Sequence, residues 1–286
     1  MAVLDDSIIL HVCAALETLG AETMAPEWLS EGEAVDIPFT GTNFGPAESA
    51  AIGVLSGAAI DVIVQKTDRR QKKLLIADMD STIVTGETLD ELAEFAGLKA
   101  EITAITKRAM QGELDFAEAL HTRVNMLKGL DESFLARTME HVKLTPGAQT
   151  LVKTMRANGA IAALISGGFS YFTDRVRERV GFDSSLGNQL EIIDGKLTGR
   201  VIPPIVGKDV KREMLIDIAE QQGLDLAQTM AIGDGANDVP MLVTAGTGIA
   251  YHAHPVARTA ARARLDHADL SGALFAQGYH RKDFID

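Results

Sequence analysis

Two aspartates separated by one residue, Asp78 and Asp80, directly follow the apolar run at 74–77. One carboxylate of such a pair can attack an electrophile and form a covalent intermediate, while the other delivers and removes a proton. Aspartates are also common in ordinary turns after strands. The pair therefore predicts nucleophilic and acid–base chemistry only if other reactive residues accompany it.

A second acidic motif, Gly233-Asp-Gly-Ala-Asn-Asp238, follows the apolar run at 230–232. Mg²⁺ prefers hard oxygen ligands and is usually bound by one or two carboxylates together with waters and substrate phosphate. Asp234 is placed to join Asp78 around such an ion, and Asp238 is close enough to orient its waters. The spacing predicts Mg²⁺ as the cofactor and leaves open whether Asp238 contacts it directly.

A phosphate site is indicated by Ser166-Gly167-Gly168, which follows a third apolar run and precedes a helix predicted to begin near Ser170. Backbone N–H groups at such a helix entrance can cradle a phosphate, and a serine hydroxyl can donate to it. Lys208 and Lys211, at the start of a later helix, could each add a positive charge. Spacing alone does not choose between the two lysines.

From Lys73 onward, short apolar runs alternate with helical segments, which predicts a parallel sheet with crossover helices. The predicted strands are at 74–77, 160–165, 230–232 and 248–250. The reactive motifs follow the first three strands, and open α/β sheets bind ligands at the carboxyl ends of their strands. The predicted fold is therefore α/β, a Rossmann-like parallel sheet with the motifs gathered at one edge.

Between the first two strands, helical periodicity predicts a helical cap at about 86–144, inserted over that edge. Thr145 and Pro146 are expected as the N-cap and first residue of the crossover helix, which Gly159 ends. Residues 189–201, with Asp194-Gly195 in the middle, predict a β-hairpin.

The first 65 residues contain Asp and Glu but neither Lys nor Arg, and the run at 66–73 reverses the sign. This shift predicts a small acidic α+β domain at 1–70, with helices at 8–19 and 46–55 and strands at 34–39 and 60–65, followed by the main domain at 71–286. A solvated acidic face is the simplest interpretation of its charge; a regulatory role or a homodimer contact is the alternative.

The bulk composition excludes several classes of protein. A net charge of −13 argues against nucleic-acid binding, and the longest apolar stretch, at 50–64, is too short to cross a membrane. The single cysteine, Cys13, allows no intramolecular disulfide, and the N-terminus lacks the basic segment of a signal peptide. We expect a cytoplasmic protein with a small-molecule substrate.

Taken in order, four stretches resemble the motifs of the haloacid dehalogenase superfamily, over roughly residues 73–270. They are Asp78-Met-Asp-Ser-Thr82, Ser166-Gly-Gly168, Lys211 and Gly233-Asp-Gly-Ala-Asn-Asp238. The resemblance implies Asp78 as nucleophile and Asp80 as general acid and base. It also selects Lys211 over Lys208.

The same resemblance implies that Mg²⁺ is held by the carboxylates of Asp78 and Asp234 and by the main-chain carbonyl of Asp80. It implies that the phosphoryl group is bound by Ser166, Gly167 and Lys211, with Asn237 nearby.

Within the superfamily, the chain most resembles the phosphoserine phosphatases. That likeness implies that Glu87 meets the substrate amine, that Arg123 meets its carboxylate, and that Met110 and Phe116 close over the site. A zwitterion needs one acid and one base, and Arg offers a bidentate contact to a carboxylate. Without the likeness, Glu87 and Arg123 would be interpreted as solvated helix-surface residues.

The expected activity is Mg²⁺-dependent hydrolysis of O-phosphoserine to serine and phosphate through an aspartyl-phosphate, the last step of serine biosynthesis. One alternative is a phosphotransferase, or a phosphatase for another small phosphorylated metabolite. A second is a binding protein with inactive phosphatase motifs, against which the complete set of reactive residues argues. The sequence does not choose between L- and D-phosphoserine, and it does not determine the oligomeric state.

Overall fold

The computed structural model describes residues 4–55 and 57–286. Its N-terminal part contains two helices, α1 (Asp6–Thr18) and α2 (Phe44–Val54), and four short strands. The strands are β1 (Glu22–Thr23), β2 (Glu27–Ser30), β3 (Ala34–Asp36) and β4 (Phe39–Thr40), with β1 antiparallel to β4 and β2 antiparallel to β3. Helix α1 and helix α2 pack around a small core formed by Val12, Leu16, Ala21, Ala47 and Ala51.

Both helices predicted in this part are confirmed, whereas the strand predictions need correction. The strand predicted at 34–39 is divided into β3 and β4, which pair with different partners. The strand predicted at 60–65 is wrong, because this stretch joins no ladder in the described part of the chain. Hydrogen bonds of the Asp61 side chain hold this stretch in place instead, since its carboxylate accepts the backbone N–H groups of residues 266, 267 and 268 at 2.8–3.1 Å.

The centre of the molecule is a mostly parallel seven-stranded sheet, which contains the four strands predicted from apolar runs, the predicted hairpin and one strand, at 263–265, that was not predicted. Its strands are β5 (Leu74–Ala77), β6 (Ile161–Phe169), β7 (Ser184–Ile193), β8 (Lys196–Ile202), β9 (Thr229–Gly233), β10 (Thr247–Tyr251) and β11 (Ala263–Leu265). Their order is β11-β10-β9-β5-β6-β7-β8, and every neighbouring pair is parallel except β7 and β8. Strands β5, β9 and β10 are buried along their whole length, which explains why their sequences are mainly apolar and do not alternate.

The register brings the reactive motifs together. Ala77, the last residue of β5, is level with Leu164 of β6 on one side and Ile232 of β9 on the other. The residues just beyond these three level positions, among them Asp78, Ser166 and Asp234, therefore share one edge of the sheet.

The segment at 86–144 between β5 and β6 contains four α-helices, as the periodicity predicted: α3 (Thr88–Glu94), α4 (Lys99–Met110), α5 (Phe116–Met126) and α6 (Ser133–His141). We call these four helices the cap. The helices that follow are α7 (Ala148–Ala157), α8 (Ser170–Val180), α9 (Lys208–Gln221), α10 (Val239–Thr244), α11 (Pro255–Ala260) and α12 (Gly272–Ala276). None of the helices in the described residues has the length and apolar character needed to cross a bilayer.

The crossover helix α7 starts later than predicted. Its N-cap is Gly147, with φ 79°, and the expected N-cap Thr145 instead donates its N–H to the carbonyl of Ile83 at 2.9 Å. The chain is thus still bound to the strand-end loop at Thr145, and only a residue that tolerates the left-handed region turns it into the helix. The predicted end at Gly159 is confirmed, with φ 78°. The predicted hairpin is confirmed too, because Asp194 and Gly195 both have positive φ between β7 and β8.

The partly buried Arg70 links the N-terminal part to the main body. Arg70 forms a bidentate ion pair with Asp36 and also donates to the carbonyls of Phe275 (3.0 Å) and Ala276 (2.9 Å). Together with Asp61, this arginine holds the two parts together. The boundary at residue 70 stays a prediction.

Candidate active site

The loop after β5 places two carboxylates at the sheet edge. Asp78 donates its N–H to the carbonyl of Ile232 (3.0 Å), and its Oδ1 accepts the N–H of Met79 (2.7 Å). The chain then coils tightly, with Asp80 extended at ψ 138° and Ser81 in the left-handed region at φ 54°. As a result, the side chains of Asp78 and Asp80 both line one cavity.

Lys211 supplies a buried positive charge next to Asp78. Its Nζ, which has no solvent exposure, lies 2.8 Å from Asp78 Oδ1 and 2.6 Å from Asp238 Oδ1. Burial by itself lowers the pKa of the lysine, but the carboxylates of Asp238 and Asp78 raise it above its ordinary value. Lys211 is therefore charged, and it forms ion pairs with both Asp78 and Asp238.

Three buried carboxylates, those of Asp78, Asp234 and Asp238, have oxygens within 4.8 Å of one another. Burial raises the pKa of Asp238 to about 6, and it raises the pKa of Asp234 well above its ordinary value, with the charge of Asp238 adding to the effect. Lys211 alone does not neutralise three acids.

A divalent cation fits this cluster, since hard carboxylate oxygens are the ligands Mg²⁺ prefers. In the adjoining cavity, the buried Oδ1 of Asn237 has no hydrogen-bond partner in the described structure, so water or a ligand has to satisfy it. The cluster thus has the chemistry of a metal site, and the cavity beside it has an unsatisfied polar group for a ligand.

Asp238 differs from the other two acids in its bonding. Its Oδ1 binds Lys211, and its Oδ2 accepts the N–H groups of Asp234 (3.1 Å) and Gly235 (3.0 Å). Asp234 instead accepts only the hydroxyl of Thr82 at 3.2 Å, through Oδ1. Among the described residues no partner is found for Oδ2 of Asp78 or of Asp234, so these two acids have more bonding capacity left than Asp238.

Asp80 is buried and accepts the backbone N–H of Thr88 through Oδ1 at 2.8 Å. Burial, reinforced by the charge of Asp78, raises the pKa of Asp80 to about 7. A carboxyl group with this pKa can give and take a proton near neutral pH.

The phosphate motif lies inside β6 and not after it, which corrects the predicted strand end at 165. The strand runs through Ser166 and Gly167 to Phe169, with a register shift after Ile165, and α8 then begins at Ser170 as predicted. The Ser166 Oγ accepts the N–H of Gly168 at 2.9 Å, and its own hydrogen has no acceptor among the described residues. The hydroxyl therefore has a hydrogen to donate to a ligand.

Sequence reasoning missed Asn188, which supports this motif from β7. Its buried side chain donates to the carbonyl of Gly167 (2.8 Å) and accepts the N–H of Val206 (2.8 Å). The signal available in the sequence was a polar residue next to the predicted hairpin, but its partners are 21 and 18 residues away.

The cavity has a volume of about 20 Å³ and is covered by the cap. Nine of the predicted site residues line it: Asp78, Asp80, Glu87, Met110, Phe116, Arg123, Ser166, Gly167 and Asn237. The other three, Lys211, Asp234 and Asp238, form the cluster with Asp78 just described. The structure thus brings all the predicted site residues to one place.

An acid and a base from the cap side, Glu87 and Arg123, line the cavity without pairing. Half-buried Glu87 accepts the hydroxyl of Ser81 at 2.8 Å, and burial, followed by the charge of Asp80, raises its pKa to about 8. Arg123 is buried and donates Nε–H to the carbonyl of Ala119 at 3.1 Å. No ion pair between Glu87 and Arg123 occurs in the described structure, so each can meet a charge on a ligand.

Two glycines of the sequence motifs, Gly167 in β6 and Gly235 after β9, contact the two apolar cap residues. The ring of Phe116 lies against Gly167, where a β-carbon would come within 3.0 Å of its Cε2. The sulfur of Met110 lies against Gly235, where a β-carbon would be 2.7 Å from it. Both residues therefore lie over the site in contact with the motif loops.

Comparison with known proteins gives a consistent result. The family model described as haloacid dehalogenase-like hydrolase matches residues 75–243. The phosphoserine phosphatase of Streptomyces coelicolor is 42% identical over 236 residues, which is 82% of this chain and 57% of that protein. The phosphoserine phosphatase of Streptococcus thermophilus is 47% identical over 199 residues, which is 70% of this chain and 93% of that protein.

A solved structure extends the likeness to the N-terminal part. The unliganded form of a probable phosphoserine phosphatase from Vibrio cholerae aligns with a TM-score of 0.79 and 31% identity, covering 99% of this chain and 86% of that one. Three of the curated relatives, including the Streptomyces coelicolor protein, extend beyond the matched region, and this chain matches only 57–62% of their length.

Proposed function

Because the chain belongs to the family of haloacid dehalogenase-like hydrolases, we propose that it hydrolyses O-phosphoserine to serine and phosphate through an aspartyl-phosphate. This reaction would make it the enzyme of the last step of serine biosynthesis. The observation that carries the proposal is the single cavity that Asp78, held by Lys211, lines together with Asp80 and the unpaired side chains of Glu87 and Arg123.

In the proposed first step, an oxygen of Asp78 attacks phosphorus, and the bond from phosphorus to the seryl oxygen breaks. Oδ1 of Asp78 accepts Met79 and Lys211, and Oδ2 has no partner among the described residues, so the carboxylate can present one oxygen to phosphorus while the other faces the metal. Protonated Asp80 gives its proton to the departing seryl oxygen. Its pKa of about 7 supports this role, because a large fraction is protonated at neutral pH.

In the proposed second step, water attacks the aspartyl-phosphate, and Asp80 takes the proton that the water loses. A new bond from oxygen to phosphorus forms, the bond between phosphorus and Asp78 breaks, and the Asp78 carboxylate is regenerated. Asp80 ends the cycle protonated, as it began.

Donors around the phosphoryl oxygens are proposed to be the Ser166 hydroxyl, the Gly167 amide, the side chain of Asn237 and the Lys211 ammonium. The hydroxyl hydrogen of Ser166 is uncommitted, and the charge of Lys211 is held at the cavity by two carboxylates. Preorganised donors of this kind stabilise charge that develops in the transition state.

We propose Mg²⁺ as the metal, held by the carboxylates of Asp78 and Asp234 and by the main-chain carbonyl of Asp80. Asp238 would act indirectly by orienting metal-bound water, because its oxygens already accept Lys211 and two amides. Bound at this position, Mg²⁺ would offset the negative charge of the phosphoryl group and of the carboxylates.

Recognition of the substrate is proposed to use both unpaired side chains, Glu87 for the amine and Arg123 for the carboxylate, with the substrate ammonium favouring the ionised form of Glu87. The cavity of about 20 Å³ holds about one water molecule, so the cap has to move away from the core loops before phosphoserine can enter. Closure would then place Met110 and Phe116 over the bound substrate.

The test is phosphate release from L- and D-phosphoserine, phosphoethanolamine (no carboxylate) and 3-phosphooxypropanoate (no amine), with Mg²⁺ or with a chelator. We expect Mg²⁺-dependent release with phosphoserine preferred, and no transfer of phosphate to added alcohols. Equal rates on all the esters would refute the substrate, while transfer to an alcohol would favour the phosphotransferase alternative.

We propose a domain boundary near residue 70, with the cap at 86–144. We also propose a cytoplasmic location, where a biosynthetic phosphomonoester would be found. The separate small core around Val12 and Ala47 supports treating 1–70 as a unit. Measuring the molecular mass in solution with and without this unit tests whether it forms a homodimer.

A further inference from the structure

A buried hydrogen-bond chain connects three cap helices behind Arg123. The Nη1 of Arg123 on α5 donates to the hydroxyl oxygen of Thr106 on α4 at 2.9 Å. The Thr106 hydroxyl donates in turn to Oδ1 of Asp90 on α3 at 2.7 Å. All three side chains are buried, with 3–5% of their surface exposed.

The chain determines which N–H groups of Arg123 remain for a ligand. A guanidinium has five N–H groups. Nε–H is used by the carbonyl of Ala119, and one Nη1–H is used by Thr106. The other three have no acceptor among the described residues, and Arg123 lines the cavity. The two bonds on one side therefore orient the free side of the guanidinium toward the site.

Thr106 itself is not part of the cavity wall. Its hydroxyl has one hydrogen, and Asp90 at 2.7 Å is a closer acceptor than the carbonyl of Ile102 at 3.1 Å. With the hydrogen directed to Asp90, the oxygen lone pairs are left to accept from Arg123. Any influence of Thr106 on the substrate has to pass through the guanidinium.

We infer that Thr106, held by Asp90, is a positioning residue that orients Arg123 for a bidentate contact with the carboxylate of the substrate. The inference rests on the proposed function, because it needs a substrate that carries a carboxylate. An arginine clamped at two points loses less conformational freedom on binding, so the clamp strengthens binding of the carboxylate and leaves the phosphoryl chemistry unchanged.

The experiment compares Thr106→Val with Thr106→Ser on phosphoserine and on phosphoethanolamine, with Arg123→Ala as reference. The matched control is Thr138→Val, since Thr138 is also a buried cap threonine that bonds a carbonyl four residues earlier, that of Phe134 at 2.8 Å, and it makes no contact of this kind with Arg123.

For Thr106→Val we expect the KM for phosphoserine to rise about tenfold, equivalent to about 1.4 kcal/mol, with kcat within about twofold of wild type. Activity on phosphoethanolamine should stay within about twofold, which also shows that the variant is folded. Thr106→Ser should restore the KM for phosphoserine, and Thr138→Val should leave the kinetics on both substrates unchanged. In the Arg123→Ala background, Thr106→Val should have no further effect on either substrate.

Equal losses on both substrates in Thr106→Val would overturn the inference, because they would indicate a structural role. An unchanged KM for phosphoserine would overturn it as well. Wild-type protein that does not prefer phosphoserine to phosphoethanolamine would refute the proposed substrate and the inference together. The wild type alone therefore tests the function, and the variants test the role of Thr106.

Discussion

The aromatic ring of Phe116, at the start of α5, lies so close to Gly167 in β6 that a β-carbon on Gly167 would overlap the ring. The contact joins the cap to the phosphate motif. Gly167 does not have a positive φ, so the glycine is required by the ring and not by the backbone.

This contact predicts that Gly167→Ala impairs closure of the cap. We expect kcat/KM for phosphoserine to fall about 100-fold, because displacement of a closing residue by about 1 Å misplaces the substrate. Removing the ring with Phe116→Ala should make the alanine at 167 much less harmful, so the two changes should be strongly non-additive.

The matched control for Gly167→Ala is Gly207→Ala. A β-carbon on Gly207 meets the same ring at 3.6 Å, an ordinary contact. Its kcat/KM should stay within about threefold of wild type. Additive losses for Gly167→Ala and Phe116→Ala in steady-state kinetics would show that the ring does not cause the effect.

Asp78→Asn should reduce turnover by at least about 10³-fold, because the amide cannot form the aspartyl-phosphate. Lys211 keeps its ion pair with Asp238, so the variant should remain folded by circular dichroism. Mass spectrometry of acid-quenched wild-type enzyme should detect a phosphorylated peptide that contains residue 78. Substantial turnover by homogeneous Asp78→Asn protein would remove Asp78 as nucleophile.

The loss of turnover caused by Asp80→Asn should depend on the leaving group of the substrate. The loss on phosphoserine should be about 10²–10⁴-fold, because the departing seryl oxygen needs a proton. Nitrophenyl phosphate has a leaving group that departs without one, so the variant should release one equivalent of nitrophenol rapidly and then stall at the aspartyl-phosphate. Absence of this burst, with equal losses on both substrates, would contradict a proton-transfer role.

Stability of the metal-free protein should depend on pH through Glu87. Its folded-state pKa of about 8 is above the ordinary value, so the folded protein holds an extra proton, and stability is lost as the pH rises toward 8. Glu87→Gln should flatten this decline by less than about 1.4 kcal/mol per pH unit, since one proton is involved and the side chain is only half-buried. Urea denaturation with a chelator at pH 5 to 8 measures the free energy of unfolding of wild type and of Glu87→Gln. Parallel declines in the two proteins would contradict the prediction.

The sequence missed β11 and Asn188, but by itself it was sufficient for the other strands of the sheet, the helical insertion and the hairpin, and its motifs supplied the candidate site residues. Those features depend on local patterns: the apolar run at 74–77 is buried on both faces, and Asp194-Gly195 tolerates the positive φ of a tight turn. Motifs that follow parallel strands necessarily meet at one sheet edge, which is why Asp78 and Asp234 could be placed together in advance.

Tertiary structure alone decided what each of these residues contacts. Lys211 donates to Asp238, which is 27 residues away in the sequence, and Thr106 accepts a hydrogen bond from Arg123, which is 17 residues away. Asp61 lies in a segment whose apolar pattern predicted a strand, and it accepts a hydrogen bond from an amide more than 200 residues away. No local pattern reports such partners, because they exist only after burial has removed water and left each polar group to find its bond within the protein.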